Sequence, residues 1–368
     1  MGLLGLSGCG SPSSASVEMS SQTELVKTGS MELQYAENFA VDYYEDGYKM
    51  LTTLPDSKRY LLVPEGQPVP RGLDEDVSIL QEPLQNIYLV ASGVMDMFAS
   101  LDAVGQIRFS GQKQENWYIQ TAKDAMAAGD MIYAGKYSKP DYELLVSEGC
   151  DLAIENRMIT HSPEVVEMLQ SFDIPVMIEY SSYEQHPLGK VEWVKFFGAL
   201  TGKEAEAEEA FAEQTEILEE VESGEKTGKT IAFFYVTSNG LIQVRQSTDY
   251  IPKLIELAGG RYIFEDLEDS GSGRSTLNMQ VEDFYAGAKD ADILIYNSSI
   301  DGGVTTVDEL IGKCNILKDF KAVQEGQVYC TTNDMYQQSM AIGYLLQDMH
   351  TVLTDDDTAK LRYLFLLQ

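Results

Sequence analysis

The chain has 368 residues, and its 26 Lys and Arg against 59 Asp and Glu give a formal net charge of −33 at pH 7. Its length favours two domains or lobes, and its 44% apolar and 23% charged residues exclude wholesale disorder. The acidic charge argues against a nucleic-acid partner, because phosphates would be repelled, and no stretch approaches the roughly 20 apolar residues that cross a bilayer.

The first residues contain a candidate lipidation site. Leu6-Ser7-Gly8-Cys9 resembles the lipobox of bacterial lipoproteins, in which the Cys is lipidated and becomes the N-terminus. The Ser- and Gly-rich residues that follow are typical of a flexible tether, so residues 1–30 are assigned to a lipobox remnant and tether. The segment before Cys9 is too short for a secretory signal peptide, so a different start and a chance match both stay open. The hypothesis is a protein on the extracytoplasmic face of the cell membrane, attached only through lipid on Cys9.

The N-terminal half shows two successive kinds of pattern. Between residues 35 and 64, alternating apolar residues interrupted by turn residues predict β-strands. From residue 87 onward, short apolar runs alternate with segments of helical periodicity, which predicts a parallel sheet. We therefore assign residues 31–202 to an N-terminal α/β lobe. Its predicted strands are 87–91, 152–154 and 176–179, and its predicted helices are 94–101, 116–128, 141–148 and 163–172.

The centre of the chain predicts two successive helices, 188–200 and 203–222. The second has Glu over most of one face and spans about 30 Å, so residues 203–225 are assigned to a helix that joins two lobes. Strand and helix patterns then alternate again, and residues 226–368 are assigned to a C-terminal α/β lobe. The predicted fold is α/β, with two Rossmann-like lobes joined by a single long helix. The predicted C-terminal elements are 230–236, 249–258, 281–288, 292–296, 307–312, 327–330 and 335–353.

The sequence contains no familiar motif for nucleophilic or metal-dependent catalysis. Glu184 and His186 are two residues apart in an extended segment, where such side chains share a face, so together with His161 they could bind a metal. A typical zinc site needs three or four ligands, which favours a structural role in the loop before Pro187. His161 could also face a cleft and bind an anionic or metal-complex ligand. No metal or cofactor is assigned.

Aromatic and basic residues that follow the predicted strands are the candidates for ligand binding. Open α/β sheets bind ligands at the carboxyl ends of parallel strands, and Tyr offers a flat apolar ring with a hydroxyl group. A few Lys and Arg in such an acidic chain could select an anionic ligand, although surface ion pairs with Glu are the alternative. The candidate cleft residues are Trp117, Tyr118, Lys136, Arg157, His161, Tyr180, Tyr183, Glu184, His186, Arg245, Tyr250 and Tyr336.

Four segments carry a family resemblance: DYELL with CDLAI at 141–154, LAGGRYIF at 257–264, MQVE with ADILI at 279–295, and AVQEGQVY at 322–329. As an ordered set they resemble the substrate-binding proteins of ABC importers for iron complexes and cobalamin. Two features depart from the family pattern. Cys150 stands where Pro is usual, and the β-rich segment at 35–64 is extra.

The resemblance implies two lobes joined by a rigid helix, with a ligand in the cleft between them and no catalysis. It also implies one Glu on each lobe, Glu143 and Glu282, that docks with Arg residues of the permease. Two carboxylates on separate lobes would fix the register of bidentate Arg partners, whereas two solvated helix residues are the alternative.

The expected function is therefore that of a monomeric solute-binding lipoprotein. It would capture an iron chelate (a siderophore or haem) or a corrinoid and deliver it to an ABC permease and its ATPase. A metal-dependent extracellular enzyme that uses His161, Glu184 and His186, and a bilobal sensor with the same fold, are the alternatives.

Overall fold

The structure is a computed structural model that describes residues 25–267, 275–298, 303–354 and 358–368. The predicted lipidation site at Cys9 and most of the predicted tether lie outside the described residues. Among the described helices, none combines the length and the apolar character of a bilayer-spanning segment.

The extra β-rich segment forms a separate sheet, sheet A, as the sequence predicts, and the sheet extends to Gln81. Its first four strands pair antiparallel in chain order, and the fifth is parallel to the fourth. Phe39 and Leu51 face the main hydrophobic core, whereas Met50 and Leu61 face a smaller cluster on the other side. The strands are β1 (Lys27–Ser30), β2 (Phe39–Tyr44), β3 (Lys49–Thr53), β4 (Lys58–Val63) and β5 (Val77–Gln81).

The N-terminal lobe contains the predicted parallel sheet, sheet B, in the order β12-β11-β6-β7-β8. Apolar residues cover both of its faces, because Ile154 faces one core cluster and Ala153 another, as parallel sheets require. The strands are β6 (Ile87–Leu89), β7 (Ile107–Ser110), β8 (Ile132–Tyr133), β11 (Leu152–Asn156) and β12 (Val176–Glu179), with a small hairpin of β9 (Gly135–Lys136) and β10 (Lys139–Pro140). The helices are α1 (Val94–Ser100), α2 (Gln120–Ala128), α3 (Tyr142–Ser147) and α4 (Pro163–Ser171).

The C-terminal lobe is built on a mixed sheet, sheet C, in the order β16-β14-β13-β17-β18-β19, with β15 also beside β13. Strands β13, β15, β17 and β18 are parallel, whereas β14, β16 and β19 pair antiparallel at the edges. Its strands are β13 (Thr230–Val236), β14 (Ile242–Arg245), β15 (Arg261–Tyr262), β16 (Thr276–Met279), β17 (Ile293–Tyr296), β18 (Val328–Thr331) and β19 (Leu364–Leu366). Its helices are α7 (Tyr250–Leu257), α8 (Val281–Ala288), α9 (Val307–Lys313), α10 (Lys321–Gln324) and α11 (Ile342–Thr354).

Two antiparallel helices connect the lobes. Helix α5 (Pro187–Thr201) is buried from Pro187 to Leu200 and ends where Gly202 adopts a positive φ of 71°. Helix α6 (Glu204–Glu222) is the predicted acidic helix, and it packs on α5 and α11. One hydrophobic core runs from sheets A and B through these helices to sheet C. This core contains residues from both sides of the predicted domain boundaries at residues 202 and 225. The boundaries therefore stay predictions.

Two buried carboxylates hold sheet A against α5. Glu192 accepts hydrogen bonds of 2.8 to 3.1 Å from the backbone N–H groups of residues 34–36. Glu184 accepts from the N–H groups of residues 37–38 and from the indole of Trp193. These bonds satisfy five backbone donors that the turn into β2 would otherwise leave without partners.

Candidate functional site

A cavity of about 290 Å³ lies between the two lobes. One wall is formed by residues at the carboxyl ends of β6, β11 and β12, including Gly93, Asn156 and Tyr183. The other wall comes from the C-terminal lobe, where Tyr250 begins α7 and Tyr336 follows β18. Carboxyl ends of parallel strands are the usual ligand-binding edge of open α/β sheets, so this cavity is the candidate site.

Three cationic side chains line the cavity, in a chain that is otherwise strongly acidic. The guanidinium carbon of Arg157 lies 4.7 Å from the ring centroid of Tyr183, and Nζ of Lys190 lies 4.7 Å from that of Tyr250. Arg245 contacts the Asp249 carboxylate at 3.4 Å. The cations therefore enter from the N-terminal lobe, from α5 and from the C-terminal lobe, and each is placed beside an aromatic ring or a carboxylate.

Two buried carboxyl groups, Glu179 and Asp249, complete the charged lining. Glu179 accepts hydrogen bonds from the N–H and the hydroxyl group of Ser181, at 2.8 and 2.6 Å, while burial raises its pKa. Asp249 caps α7 by accepting from the N–H of Ile251 at 2.9 Å. Burial raises the pKa of Asp249, and the neighbouring Arg245 opposes that rise. Both acids thus have protein partners, and the three cations outnumber them.

Five of the twelve predicted cleft residues line this cavity, and two more lie beside it. The five are Arg157, Tyr183, Arg245, Tyr250 and Tyr336. Tyr118 is 44% exposed and meets Tyr336 edge to face, with ring centroids 6.5 Å apart. Tyr180 is buried under Tyr183, with centroids 6.4 Å apart. The aromatic rings thus surround the opening from both lobes.

Three predicted cleft residues lie away from the cavity and need correction. Trp117 is 1% exposed and its indole donates to the Ser110 hydroxyl at 3.0 Å, so it belongs to the N-terminal core. Lys136 is exposed on the β9–β10 hairpin. His161 is exposed at the end of a single 3-10 turn, outside the cavity lining. Trp117 and Lys136 follow β7 and β8, which the sequence did not predict, whereas His161 follows the predicted strand β11. For none of the three could the sequence show the direction of the side chain.

Glu184 and His186 also have roles other than the predicted ones. The Glu184 carboxylate is occupied by sheet A, as described above. His186 caps α5, because its Nδ1 accepts from the N–H of Leu188 at 3.2 Å, and its ring stacks on Tyr35 at 4.4 Å. It lines a neighbouring cavity of about 290 Å³. Across the described ranges, no three His, Cys, Asp or Glu side chains are grouped so that they could hold a metal.

Sequence reasoning missed Lys190, which reaches the cavity from α5. The signal was present, because residues 188–200 are apolar on nearly all sides. A helix of that kind is buried, so a Lys within it must lie in the interior as well. Glu179 and Asp249 gave no comparable signal, since a strand end and a helix cap are ordinary places for acids.

Two side chains tie the lobes together next to the cavity. The Gln337 side chain accepts from the N–H of Tyr118 and donates to the carbonyl of Asn116, both at 2.8 Å. The Asp96 carboxylate accepts from the N–H of Met340 at 2.7 Å, and burial raises the pKa of Asp96 to about 6. The loop that carries Tyr336 is therefore fixed to the N-terminal lobe.

The two predicted docking residues are exposed and lie on different lobes. Glu143 is in the first turn of α3, whose N-terminus Asp141 caps by accepting from Leu144 at 3.1 Å. Glu282 is in the first turn of α8. Acidic residues are favoured at helix N-termini by the helix dipole, so these positions suit solvated helix residues as well as docking groups.

Comparison with known proteins shows the family. The family model described as periplasmic binding protein matches residues 93–335. An uncharacterized lipoprotein of Methanocaldococcus jannaschii is 25% identical over 351 residues, which cover 87% of this chain and 81% of the relative. A structure described as a possible iron-binding (periplasmic solute-binding) protein from Staphylococcus epidermidis has a TM-score of 0.57 and 17% identity, and covers 73% of this chain and 98% of its own. A periplasmic haem-binding protein of Vibrio cholerae has a TM-score of 0.58 and 14% identity, with the same coverage.

These matches also separate the shared part of the chain from the added part. The two structures are nearly complete in the superposition, yet about a quarter of this chain has no counterpart in them. The alignment with the lipoprotein is long enough that it must include part of sheet A. The family model covers more than half of the chain and includes most of both lobes and most of the residues that line the cavity. The chain belongs to the periplasmic binding protein family.

Proposed function

We propose that the protein is a monomeric, extracytoplasmic solute-binding protein that holds an iron chelate in the interlobe cavity and delivers it to an ABC permease. The observation that carries this proposal is the convergence of tyrosines and three cations, from both lobes, on one cavity. The descriptions of similar structures as iron-binding and haem-binding proteins favour a siderophore or haem. A corrinoid is the remaining candidate, because it belongs to the ligands of the resembling class.

The lining suits a chelate with both apolar and negatively charged parts. Tyrosine rings such as Tyr183 and Tyr336 cover flat or apolar surface and leave their hydroxyl groups available. Arg157 and Arg245 supply planar, permanently charged donors that match carboxylates and phenolates. A ligand that contacts both lobes stabilises the arrangement in which the two lobes are closed around it. A permease would recognise this closed arrangement.

Calorimetric titration with a ferric siderophore, haemin and cyanocobalamin tests the ligand claim. We expect one of these classes to bind the wild type, and Tyr336→Ala to weaken that binding by about tenfold. Tyr133→Ala is the matched control, because Tyr133 and Tyr336 are exposed to similar extents, 41% and 38%, but only Tyr336 lines the cavity. If a folded wild type binds none of the three, the proposed function is wrong.

We further propose that Glu143 and Glu282 dock with basic residues of the permease, one from each lobe. The double variant Glu143→Ala, Glu282→Ala should keep ligand affinity and abolish uptake in cells that depend on this protein. Glu164→Ala with Asp308→Ala is the control, because these exposed acids also lie in first turns of helices, α4 and α9. Normal uptake by the first double variant would contradict the docking assignment.

Lipidation of Cys9 would attach the protein to the outer face of the cell membrane. The lipoprotein description of the Methanocaldococcus relative supports this proposal. Cys9→Ser should move the protein from the membrane fraction to the soluble fraction and stop incorporation of labelled fatty acid. Unchanged membrane association of that variant would exclude the lipid anchor.

A further inference from the structure

Lys190 is a buried cation that faces the cavity. It lies in the first half of α5, is 6% exposed, and is part of the cavity lining. A buried ammonium group is costly unless it has a partner of opposite charge. The partner of Lys190 therefore needs to be identified.

A second buried lysine on the same helix, Lys195, has carboxylate partners that compensate its charge. Lys195 is 4% exposed, and its Nζ lies 2.9 Å from the Glu208 carboxylate and 3.6 Å from that of Glu192. For Lys190, no carboxylate among the described residues comes within 4.0 Å of Nζ, which lies 4.7 Å from the centroid of the Tyr250 ring. A cation–π contact of this kind is weaker than a buried ion pair. Lys190 is thus less well compensated than Lys195.

The acids that surround Lys190 are engaged elsewhere. Each feels the charge of Lys190, but each is bound by other donors: Glu179 by Ser181, Asp249 by Arg245 and the N–H of Ile251, and Asp96 by the N–H of Met340. These bonds fix the three carboxylates in place, and none of them lies within 4.0 Å of the Lys190 ammonium group in the part of the chain that the structure describes. The position in front of Lys190 is therefore open on the side of the cavity.

We propose that Lys190 is the counter-ion of a negatively charged oxygen of the ligand, and that the ligand is a small anionic carboxylate chelate of ferric iron. This inference rests on the proposed function and narrows it. An ammonium group is a compact charge that pairs well with single carboxylate oxygens. At about 290 Å³, the cavity is at the small end of ligand pockets, which range over roughly 300–1,000 Å³, and this favours a small chelate over a macrocycle.

The position of Lys190 on α5 gives the contact a further consequence. Helix α5 packs against α1 of the N-terminal lobe and against α7 and α11 of the C-terminal lobe. A ligand oxygen on Lys190 is therefore held by the helix that both lobes share, while Arg157 and Arg245 approach from either side. Lys190 fixes the anionic end of the ligand, and the two arginines contact the ligand together only when the lobes have closed on it.

Titration of the full chain with three probes of different charge tests the inference. The probes are ferric citrate, which is an anionic carboxylate chelate, ferrioxamine B, which is cationic, and cyanocobalamin, which carries no net charge. We expect ferric citrate to bind most tightly, and Lys190→Met to weaken it by about tenfold to a hundredfold, the usual effect of losing a charged hydrogen bond. Lys190→Arg should restore part of the affinity, and Lys195→Met should leave it unchanged.

The outcomes separate this inference from the proposed function. Preferred binding of ferrioxamine B or cyanocobalamin, or equal affinity of wild type and Lys190→Met for ferric citrate, overturns the role of Lys190 and leaves a solute-binding protein. Absence of binding to these three probes and to haemin, with circular dichroism of a folded protein, overturns both. Retained circular dichroism of Lys190→Met shows that its lower affinity comes from the lost charge and not from unfolding.

Discussion

Buried charges are treated differently on the two sides of helix α5. Where sheet A joins the helix, the carboxylates of Glu184 and Glu192 accept hydrogen bonds from five backbone N–H groups between them, in addition to one from Trp193. At the cavity, Lys190 has an aromatic ring beside it and no carboxylate within ion-pair distance among the described residues. Charges at the joint are satisfied by the protein itself, whereas the charge at the cavity is satisfied only in part.

The difference distinguishes structural charges from functional ones. A buried charge with complete partners stabilises one arrangement of the chain, and removing it leaves its partners unsatisfied. A buried charge with incomplete partners lowers the stability of the free protein and can be compensated by a ligand. Burial alone does not tell these cases apart, but the number of partners does.

The largest effect should come from breaking the joint, which is the set of hydrogen bonds from residues 34–38 to Glu184 and Glu192. Replacing Glu192 with Ala leaves the N–H groups of residues 34–36, which are buried or partly buried, without an acceptor. It also removes one partner of the buried Lys195, so we expect a loss of about 3–5 kcal/mol in the free energy of unfolding. Denaturant unfolding measures this loss. Glu209→Ala, an exposed Glu on α6, is the control. A loss no greater than that of the control would show that the joint does not depend on this carboxylate.

A smaller effect should appear at Glu155, a buried carboxyl group whose two oxygens have no hydrogen-bond partner among the described residues. It is completely buried on β11, and burial raises its pKa to about 8. The unfolded chain releases this proton near the ordinary value of 4.5, so the folded state binds the proton more tightly. Stability should therefore fall as pH rises, by about 3 kcal/mol between the ordinary pKa and neutral pH.

The Glu155→Gln variant isolates this pH dependence. Gln does not ionise, so the variant should lack the decrease while keeping the other pH effects of the chain. Unfolding by denaturant at a series of pH values, compared between wild type and variant, gives the difference directly. Parallel pH profiles for the two proteins would mean that Glu155 is ionised in the folded state.

The smallest effect should come from the two buried lysines in the ligand-free protein. Lys195→Met removes a cation that has two carboxylate partners, and we expect a loss of about 1–2 kcal/mol. Lys190→Met removes a cation without one, so its free energy of unfolding should stay the same or rise. Thermal unfolding of the two variants side by side measures the contrast. A larger loss for Lys190→Met than for Lys195→Met would reverse the interpretation of both residues.

Local periodicity predicted the longer buried strands of sheets B and C and most of the helices, but it missed the parallel strands β7, β8 and β15. The runs at β11, β13 and β17 are buried on both faces, and such runs are recognisable one segment at a time. The antiparallel strands β14, β16 and β19 were not predicted, because they are short and partly exposed and owe their conformation to pairing with distant strands. The family resemblance predicted the overall arrangement that local patterns could not.

The residues of the site were less predictable, because their roles depend on distant partners. Glu184 binds N–H groups that lie 147 and 146 positions earlier in the chain. Trp117 follows a strand, as a cleft residue would, but turns into the core to meet Ser110. Arg157 and Tyr336 were found because both follow strands that end at the cavity. Position after a strand could be read from the sequence, and side-chain direction could not.

The attachment of sheet A means that the smallest independently folding piece of this chain is larger than the part shared with its family. A shortened chain that begins at residue 82, directly after sheet A, would lose Phe39, whose ring packs 4.9 Å from Trp193 and 5.3 Å from Phe196. It would also remove the five backbone N–H groups that donate to Glu184, just before α5, and to Glu192 on α5. Such a piece would expose an apolar and negatively charged strip along its central helix, and we expect it to aggregate. In this protein the N-terminal sheet is part of the scaffold that holds the binding lobes.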